Sequence, residues 1–272
     1  MKNSLDNCKK LFPEWDKKTD NYCALQKEMG NNEIAMIGDS HANHLFLGMS
    51  EAHKEEGVAV FPASCASPLL DTAAGLYTYE SLNSENKIFN GRQNTYKLIN
   101  QAYKYVLSNK KIRDVILAHN PMCSYNGNVM DMRNPSETNG NKIIERGLRR
   151  SLDALTEAGK RVTIVIDNPE IKFEPKACIV RPLRLTRAGA RCSYDRSIYD
   201  QNAAHKIYNT IIRKVVKDYP SVRVVDLSKK FCNDKTCTLF VDGHEVYEDR
   251  THLNKYGSRY VAPFILGNGS DK

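Results

Sequence analysis

The chain has 272 residues, of which 41% are hydrophobic and 26% are charged, as in an ordinary globular protein. These fractions exclude a disordered chain and a fibrous repeat, and no apolar run reaches the roughly 20 residues that a membrane-spanning helix needs. The net charge of +8 is mild, and the basic residues form no spacing typical of DNA- or RNA-binding motifs, so we expect no nucleic-acid partner.

The beginning of the chain differs in pattern from the rest. Residues 1–32 lack sustained hydrophobic periodicity and predict an irregular extension. They also lack the apolar stretch of about 7–15 residues that a secretory signal peptide carries. From Glu33 onward, short apolar runs alternate with longer amphipathic stretches, a pattern typical of βαβ units and a parallel sheet.

This alternation predicts five strands and five helices. The strands lie at residues 34–37, 58–61, 115–118, 162–166 and 222–225. The helices lie at residues 41–56, 95–108, 143–158, 202–218 and 255–264. Together they predict a three-layer α/β/α sandwich with a five-stranded parallel sheet over residues 33–265, followed by a C-terminal tail at residues 266–272. Two long loops, residues 62–91 and 120–139, leave the edge of the sheet at which open α/β sheets bind ligands.

The cysteines indicate an oxidising compartment. There are eight of them, and none has the paired spacing of a zinc site. We expect disulfides, with the free thiols of a cytosolic protein as the alternative. Among the 105 possible pairings, nearest neighbours in sequence are preferred. These pairs are Cys8–Cys23, Cys65–Cys123, Cys178–Cys192 and Cys232–Cys237. Disulfides without a signal peptide suggest a piece of a longer protein that follows a membrane segment.

A candidate nucleophile lies where the first predicted strand ends, in the sequence Gly38-Asp39-Ser40-His41. A serine at a strand-to-helix junction is exposed at the carboxyl edge of the sheet, and its backbone N–H lies at the helix N-terminus. That N–H can stabilise the oxyanion that forms when the hydroxyl attacks a carbonyl group. The alternative is that Ser40 only caps the helix. Asp39, His41 and His44 could be read as metal ligands, but packing within the helix explains them better, and we expect no metal.

A candidate base lies just before the last helix, in the sequence Asp249-Arg250-Thr251-His252-Leu253-Asn254. The spacing of three residues lets the Asp249 carboxylate accept the Nδ1–H of His252, which leaves Nε2 free to remove a proton from Ser40. An Asp-x-x-His pair alone occurs often by chance. Together with a serine at a strand-to-helix junction it is much rarer, and it predicts a Ser-His-Asp triad.

These two motifs resemble the first and last blocks of the SGNH, or GDSL-like, hydrolases, in the same order and placement over residues 33–265. With Gly257 following the second motif, the sequence looks most like the periplasmic SGNH domain fused behind acyltransferase-3 membrane proteins. Those proteins O-acylate cell-surface glycans, including lipopolysaccharide O-antigen. The resemblance implies Ser40 as nucleophile, His252 as general base and Asp249 as its orienting partner.

The resemblance also implies a cellular setting. Such a domain is periplasmic and tethered to the inner membrane, with the acyltransferase-3 membrane domain as its partner in the same longer chain and a polysaccharide as its acceptor. Acetyl-CoA is then the ultimate donor, used through the membrane domain, and no cofactor is implied within these residues. Residues 1–32 look like the junction that follows the membrane domain.

The middle blocks of the family match less well. The usual second-block glycine has no counterpart in Ala63-Ser64-Cys65-Ala66-Ser67-Pro68, and the third block corresponds to Ala118-His119-Asn120-Pro121. Asn120 is therefore the candidate oxyanion donor beside the N–H of Ser40. The function predicted is O-acyl transfer, most simply acetyl transfer, to a sugar hydroxyl. The alternatives are a carbohydrate O-acetyl esterase and a non-catalytic glycan-binding module.

Tyrosines in the long loops are candidates for stacking on sugar rings. They are Tyr77, Tyr79 and Tyr125, although 14 tyrosines in the chain make such placement expected by chance.

Overall fold

A computed structural model describes the fold. The described residues are Cys8, Phe12, 23–28, 30–74, 85–125, 129–175 and 192–267, and of residues 85–94 only the helical backbone is described. Cys178, Tyr77 and Tyr79 lie outside this part of the chain. None of the helices within it has the length and hydropathy needed to cross a bilayer.

The strands, numbered along the chain, are β1 (Ala24–Leu25), β2 (Ile34–Gly38), β3 (Val58–Pro62), β4 (Thr72–Ala74), β5 (Asp114–Ala118), β6 (Val129–Asp131), β7 (Arg161–Ile166), β8 (Ser193–Asp195), β9 (Arg223–Asp226), β10 (Thr236–Thr238), β11 (Phe240–Val241) and β12 (His244–Glu245). The helices are α1 (Ser40–Ala52), α2 (Glu85–Ser108), α3 (Gly140–Glu157), α4 (Arg196–Asp200), α5 (Ala203–Val215), α6 (Ser228–Phe231) and α7 (Lys255–Ile265). Two 3₁₀ helices, Pro121–Ser124 and Val216–Asp218, complete the described secondary structure.

The central sheet has the strand order β1-β3-β2-β5-β7-β9 within the described residues. The last five of these strands run parallel and are the five that the sequence predicts. The sixth, β1, pairs antiparallel with β3 at the edge. It lies in the stretch predicted to be an irregular extension, and two residues are too few for hydrophobic periodicity to identify. The predicted domain boundary at residue 33 stays a prediction.

Helices cover both faces of the sheet, which confirms the predicted α/β sandwich. On one face, Leu45 of α1 and Val261 of α7 pack with Ile34 and Met36. On the other face, α2, α3 and α5 pack against Ala35 and its neighbours in the same cluster. Because β2 is covered on both sides, all five of its residues are buried and it has no polar alternation.

Glycine at position 38 lets strands β2 and β5 approach each other closely. A Cβ atom built on Gly38 would lie 1.6 Å from the carbonyl oxygen of Ala118, which no side chain can tolerate. Gly38 therefore allows β2 to stay paired with β5 to its last residue, and this pairing positions the start of α1.

Three of the four preferred disulfides are present. They are Cys8–Cys23, Cys65–Cys123 and Cys232–Cys237. The fourth preferred pair includes Cys178, which lies outside the described residues. The Cys65–Cys123 bridge joins the loops that leave β3 and β5, the two strands on either side of β2. It therefore ties together the backbone on both sides of the start of α1.

Removing the Cys65–Cys123 bridge should destabilise the domain more than removing the Cys232–Cys237 bridge. The first closes a loop with a sequence separation of 58 residues and the second one of 5 residues. The chain-entropy estimate gives losses of about 4 and about 2 kcal/mol respectively when each pair is replaced by alanine. Urea unfolding of the two double variants measures both free energies, and equal losses would contradict the expectation.

Candidate active site

Ser40 is exposed and is the first residue of α1, directly after β2. The residue that caps the helix is Asp39, whose side chain accepts the backbone N–H of His41 at 2.8 Å. The capping role considered for Ser40 therefore belongs to its neighbour. The Ser40 hydroxyl is free for another partner, and its own N–H is one of the first-turn donors that have no carbonyl partner within the helix.

The predicted triad residues come together. Nε2 of His252 lies 2.8 Å from Oγ of Ser40, across a sequence separation of 212 residues. Nδ1 of His252 lies 2.7 Å from Oδ2 of Asp249. With Nδ1–H donated to the carboxylate, the imidazole presents an unprotonated Nε2 to the serine hydroxyl. The geometry is that of a nucleophile, a base and an orienting carboxylate.

The loop that carries Asp249 and His252 is held by its own backbone. Oδ1 of Asp249 accepts the N–H groups of Thr251 at 2.8 Å and of His252 at 2.7 Å. Partial burial by itself raises the pKa of Asp249, but these two N–H groups and the His252 ring lower it to about 2. Asp249 is therefore ionised over the range in which a histidine works as a base.

Asn168 fixes the same loop from the sheet. It follows β7, and its side-chain NH₂ group donates to the carbonyl oxygen of Thr251 at 2.8 Å. Neither this residue nor the preceding Asp167 is among the sequence-predicted site residues. Both stand directly after the carboxyl end of a predicted strand, the position at which ligand-facing residues of open sheets cluster, and that signal could have found them.

Asp39 connects the start of α1 to the loop after β5. Its side chain is fully buried, and its Oδ2 accepts the backbone N–H of Asn120 at 3.1 Å. Burial is the largest influence and raises the pKa of Asp39 to about 6, against the lowering effect of His41 and of the two backbone N–H groups. One carboxylate thus holds both of the backbone segments that the sequence predicts to supply oxyanion donors.

Asn120, the candidate oxyanion donor, lies beside His41. Its side-chain oxygen accepts the N–H of Met122 at 3.0 Å and caps the 3₁₀ helix. This orientation turns its NH₂ group toward Nε2 of His41, at 3.3 Å. One hydrogen of the NH₂ group is engaged there, which leaves the second available for another acceptor.

His41 lies buried behind the triad. Its Nδ1 is 2.9 Å from the Asp167 carboxylate, and its ring centroid is 4.7 Å from that of His252. Burial is the largest single influence and lowers the pKa of His41. The charge and hydrogen bond of Asp167, together with the charges of Asp39 and Asp249, outweigh it and raise the net pKa to about 9. The NH₂ group of Asn120 opposes this rise, because it can donate only to a neutral ring. His41 is therefore held between a carboxylate that favours its protonation and an amide that disfavours it.

A metal ion does not fit the histidines of α1. Within the described part of the chain, His41, His44 and Asp167 bring potential ligand atoms within 4.8 Å of one another. The atoms of His41 and Asp167 are already engaged with each other. Nδ1 of His44 accepts the N–H of Leu253 at 3.3 Å, so the hydrogen of the neutral ring lies on Nε2 and blocks it as a ligand. Each oxygen of Asp39 accepts one backbone N–H group.

Replacing Asp39 by asparagine should remove a pH-dependent cost in stability. The pKa of Asp39 is higher in the folded chain, at about 6, than its ordinary value of 3.8. The folded state therefore binds more protons between these values, and its stability falls as the pH rises through them. The free energy of unfolding of the native chain minus that of Asp39→Asn should decrease by about 2 kcal/mol between pH 4 and pH 6.

Asp195 offers a matched control, because it also caps a helix but is exposed. Hydrogen bonds from Ser197 lower its pKa, so Asp195→Asn should give a difference that changes with pH in the opposite direction. Urea unfolding at several pH values measures both. A pH-independent difference for Asp39→Asn would contradict the expectation.

Comparison with known proteins assigns the chain to a family. Residues 7–267 match the family described as "SGNH domain (fused to AT3 domains)". The chain belongs to this SGNH family. Membership confirms the predicted resemblance and identifies the SGNH domain as an enzyme of the acyltransferase or esterase type. No curated protein sequence matches it significantly.

The fold is shared with a solved structure. The periplasmic domain of a lipopolysaccharide acetyltransferase from Salmonella ser. Paratyphi A is 17% identical, with a TM-score of 0.58 over 88% of this chain and 84% of that chain. An acetyl xylan esterase is also 17% identical, with a TM-score of 0.44 over 84% of this chain and 95% of that chain.

Proposed function

We propose that the SGNH domain transfers an acyl group, most simply acetyl, from Ser40 to a hydroxyl group of a bacterial cell-surface polysaccharide. The observation that carries the proposal is the line of contacts from Ser40 through His252 to Asp249, at 2.8 and 2.7 Å. The family's description as a domain fused to AT3 domains supports transfer over simple hydrolysis.

The triad performs the reaction in two halves. In the first, His252 removes the proton of the Ser40 hydroxyl while Oγ attacks the acyl carbonyl carbon of the donor. The donor's leaving group departs with that proton, and an acyl-serine ester remains. In the second half, His252 removes the proton of a sugar hydroxyl, the sugar oxygen attacks the ester, and the proton returns to Ser40 as the acylated sugar leaves.

The oxyanion of each half needs hydrogen-bond donors. The N–H of Ser40 at the start of α1 is one donor, favoured by the partial positive charge of the helix N-terminus. The second NH₂ hydrogen of Asn120 is the other. Asp39 accepts the backbone N–H groups of His41 and Asn120, and so holds together the two backbone segments that carry these donors.

The acyl group reaches Ser40 from outside this domain. In our proposal, an acyltransferase-3 membrane domain in the same longer chain takes it from acetyl-CoA and presents it on the periplasmic side of the inner membrane. The SGNH domain then needs no cofactor of its own. The half-exposed Asp249 and the exposed Ser40 support this arrangement, since a donor and a bulky glycan must both reach the triad.

One experiment separates transfer from hydrolysis. The isolated domain is incubated with an activated acetyl ester, with and without de-O-acetylated lipopolysaccharide oligosaccharide. Transfer predicts acetylated oligosaccharide at the expense of free acetate, and Ser40→Ala forms neither. Acetate release that the oligosaccharide does not change would instead show an esterase, in which water is the only acceptor for the same acyl-serine.

The non-catalytic glycan-binding module is the remaining alternative. This alternative does not explain why His252 contacts both Ser40 and Asp249, because a protein that only binds glycans needs no such alignment. If Ser40→Ala abolishes O-acetylation in cells and leaves glycan binding intact, the binding-only view is wrong.

A further inference from the structure

An open cleft of about 340 Å³ lies between the N-terminal ends of α3 and α5, and Pro121, which follows Asn120 in the chain, is one of the residues that line it. Its floor is apolar and includes the buried side chains of Ile144, Ala204 and Tyr208. Its rim includes Tyr125 and the exposed Asn141. A pocket with an apolar floor and a few polar groups at its rim is the usual form of a small-ligand site.

The 3₁₀ helix Pro121–Ser124 joins this cleft to the triad. Asn120 caps the helix on the side that faces His41 and Asp39, while Pro121 and Ser124 line the cleft. Cys123, in the same short helix, is bridged to Cys65. The wall that the cleft shares with the active site is therefore fixed by a disulfide and by a buried carboxylate.

The side chains that line the cleft indicate which kind of ligand it can bind. None of the described residues that line it carries a charged side chain, although 26% of the chain is charged. Amide and hydroxyl groups at the rim suit the hydroxyl groups of a sugar, and an aromatic ring with an apolar floor suits its C–H faces. An anionic ligand would find no cation there to compensate for the loss of its hydration.

We propose that this cleft binds the acceptor, as a neutral sugar unit of the polysaccharide whose neighbouring hydroxyl group is acylated. The inference rests on the proposed function and names the part of the surface that recognises the acceptor. A sugar held against Tyr125 and Asn141 is oriented by the same 3₁₀ helix that presents Asn120 to the active site. Its hydroxyl group then competes with water for the acyl group on Ser40.

The test uses the partition of the acyl-enzyme between the two acceptors. Both products come from one acyl-serine, so the ratio of acetylated oligosaccharide to free acetate does not depend on how fast the enzyme is acylated. Asn141→Trp fills the cleft from an exposed position, and Tyr125→Ala removes its aromatic wall. Each should lower the ratio at least about tenfold at a limiting concentration of de-O-acetylated oligosaccharide. The control is Lys142→Trp, because Lys142 is exposed on the same helix turn and does not line the cleft.

A ratio that stays within about twofold of the native value in both variants would overturn the proposal. So would an equal loss in Lys142→Trp.

Calorimetric binding of the oligosaccharide to Ser40→Ala tests the cleft without any chemistry. If Asn141→Trp weakens this binding, the cleft is supported as the sugar site even when no transfer is found. A failure of the proposed function can therefore be told apart from a failure of the cleft assignment. A uronic-acid oligosaccharide of the same length should bind at least about tenfold more weakly, and equal binding would overturn the neutral-sugar assignment.

Discussion

Ser40→Ala should lower the turnover of an activated acetyl ester by about 10⁴- to 10⁶-fold, because it removes the atom that forms the acyl-enzyme in the proposed mechanism. The fold should not change. Ser40 is exposed, and the cap of α1 is provided by Asp39. The loss is measured as kcat/KM for the ester, with the free energy of unfolding measured in parallel.

Ser50→Ala is the matched control for that loss. Ser50 lies on the same helix and its hydroxyl donates to the carbonyl oxygen of Leu47, away from the triad. Its replacement should leave turnover within about twofold of the native value. If Ser40→Ala keeps more than about a tenth of the native activity, Ser40 is not the nucleophile.

His252→Gln should cost about as much as Ser40→Ala, and the double variant should cost no more than either single variant. Residues that act as one unit in a reaction lose their joint effect when any essential member is removed. In the proposed mechanism Ser40, His252 and Asp249 form such a unit, and their contacts at hydrogen-bond distance support this. Losses that multiply in the double variant would show that Ser40 and His252 act independently.

His53→Gln controls for the general effect of losing an imidazole. His53 follows α1 at its far end, and its nearest charged contact is Glu56 at 3.8 Å. Its replacement should change kcat by less than about twofold. A loss comparable to that of His252→Gln would point to damage of the fold and not of the triad.

The sequence predicts the triad because its three residues occur in two compact motifs. Ser40 follows a strand directly, and Asp249 and His252 are one turn apart, so local spacing already limits their geometry. Parallel strands then bring the carboxyl end of β2 and the loop before α7 to the same edge of the sheet. The five parallel strands were predictable for a related reason, because buried strands are continuous apolar runs.

The supporting residues were harder to predict. Asp167 contacts His41 and Asn168 contacts Thr251, at sequence separations of 126 and 83 residues. Nothing in the local sequence around Asp167 or Asn168 identifies these partners. Asn120 matches the family pattern only weakly, and its position beside His41 depends on the buried carboxylate of Asp39. The short strand β1 is recognised only by its antiparallel pairing with β3, which is a tertiary contact.

The most direct test of the central claim is to find the acyl group on Ser40. The domain is mixed with an activated acetyl ester, quenched in acid within one turnover, digested and examined by mass spectrometry. We predict one added acetyl group on the peptide that contains Ser40, lost again when de-O-acetylated oligosaccharide is added before the quench. An acetyl group on another residue, or undiminished turnover with no acetylated peptide, would contradict the proposed mechanism.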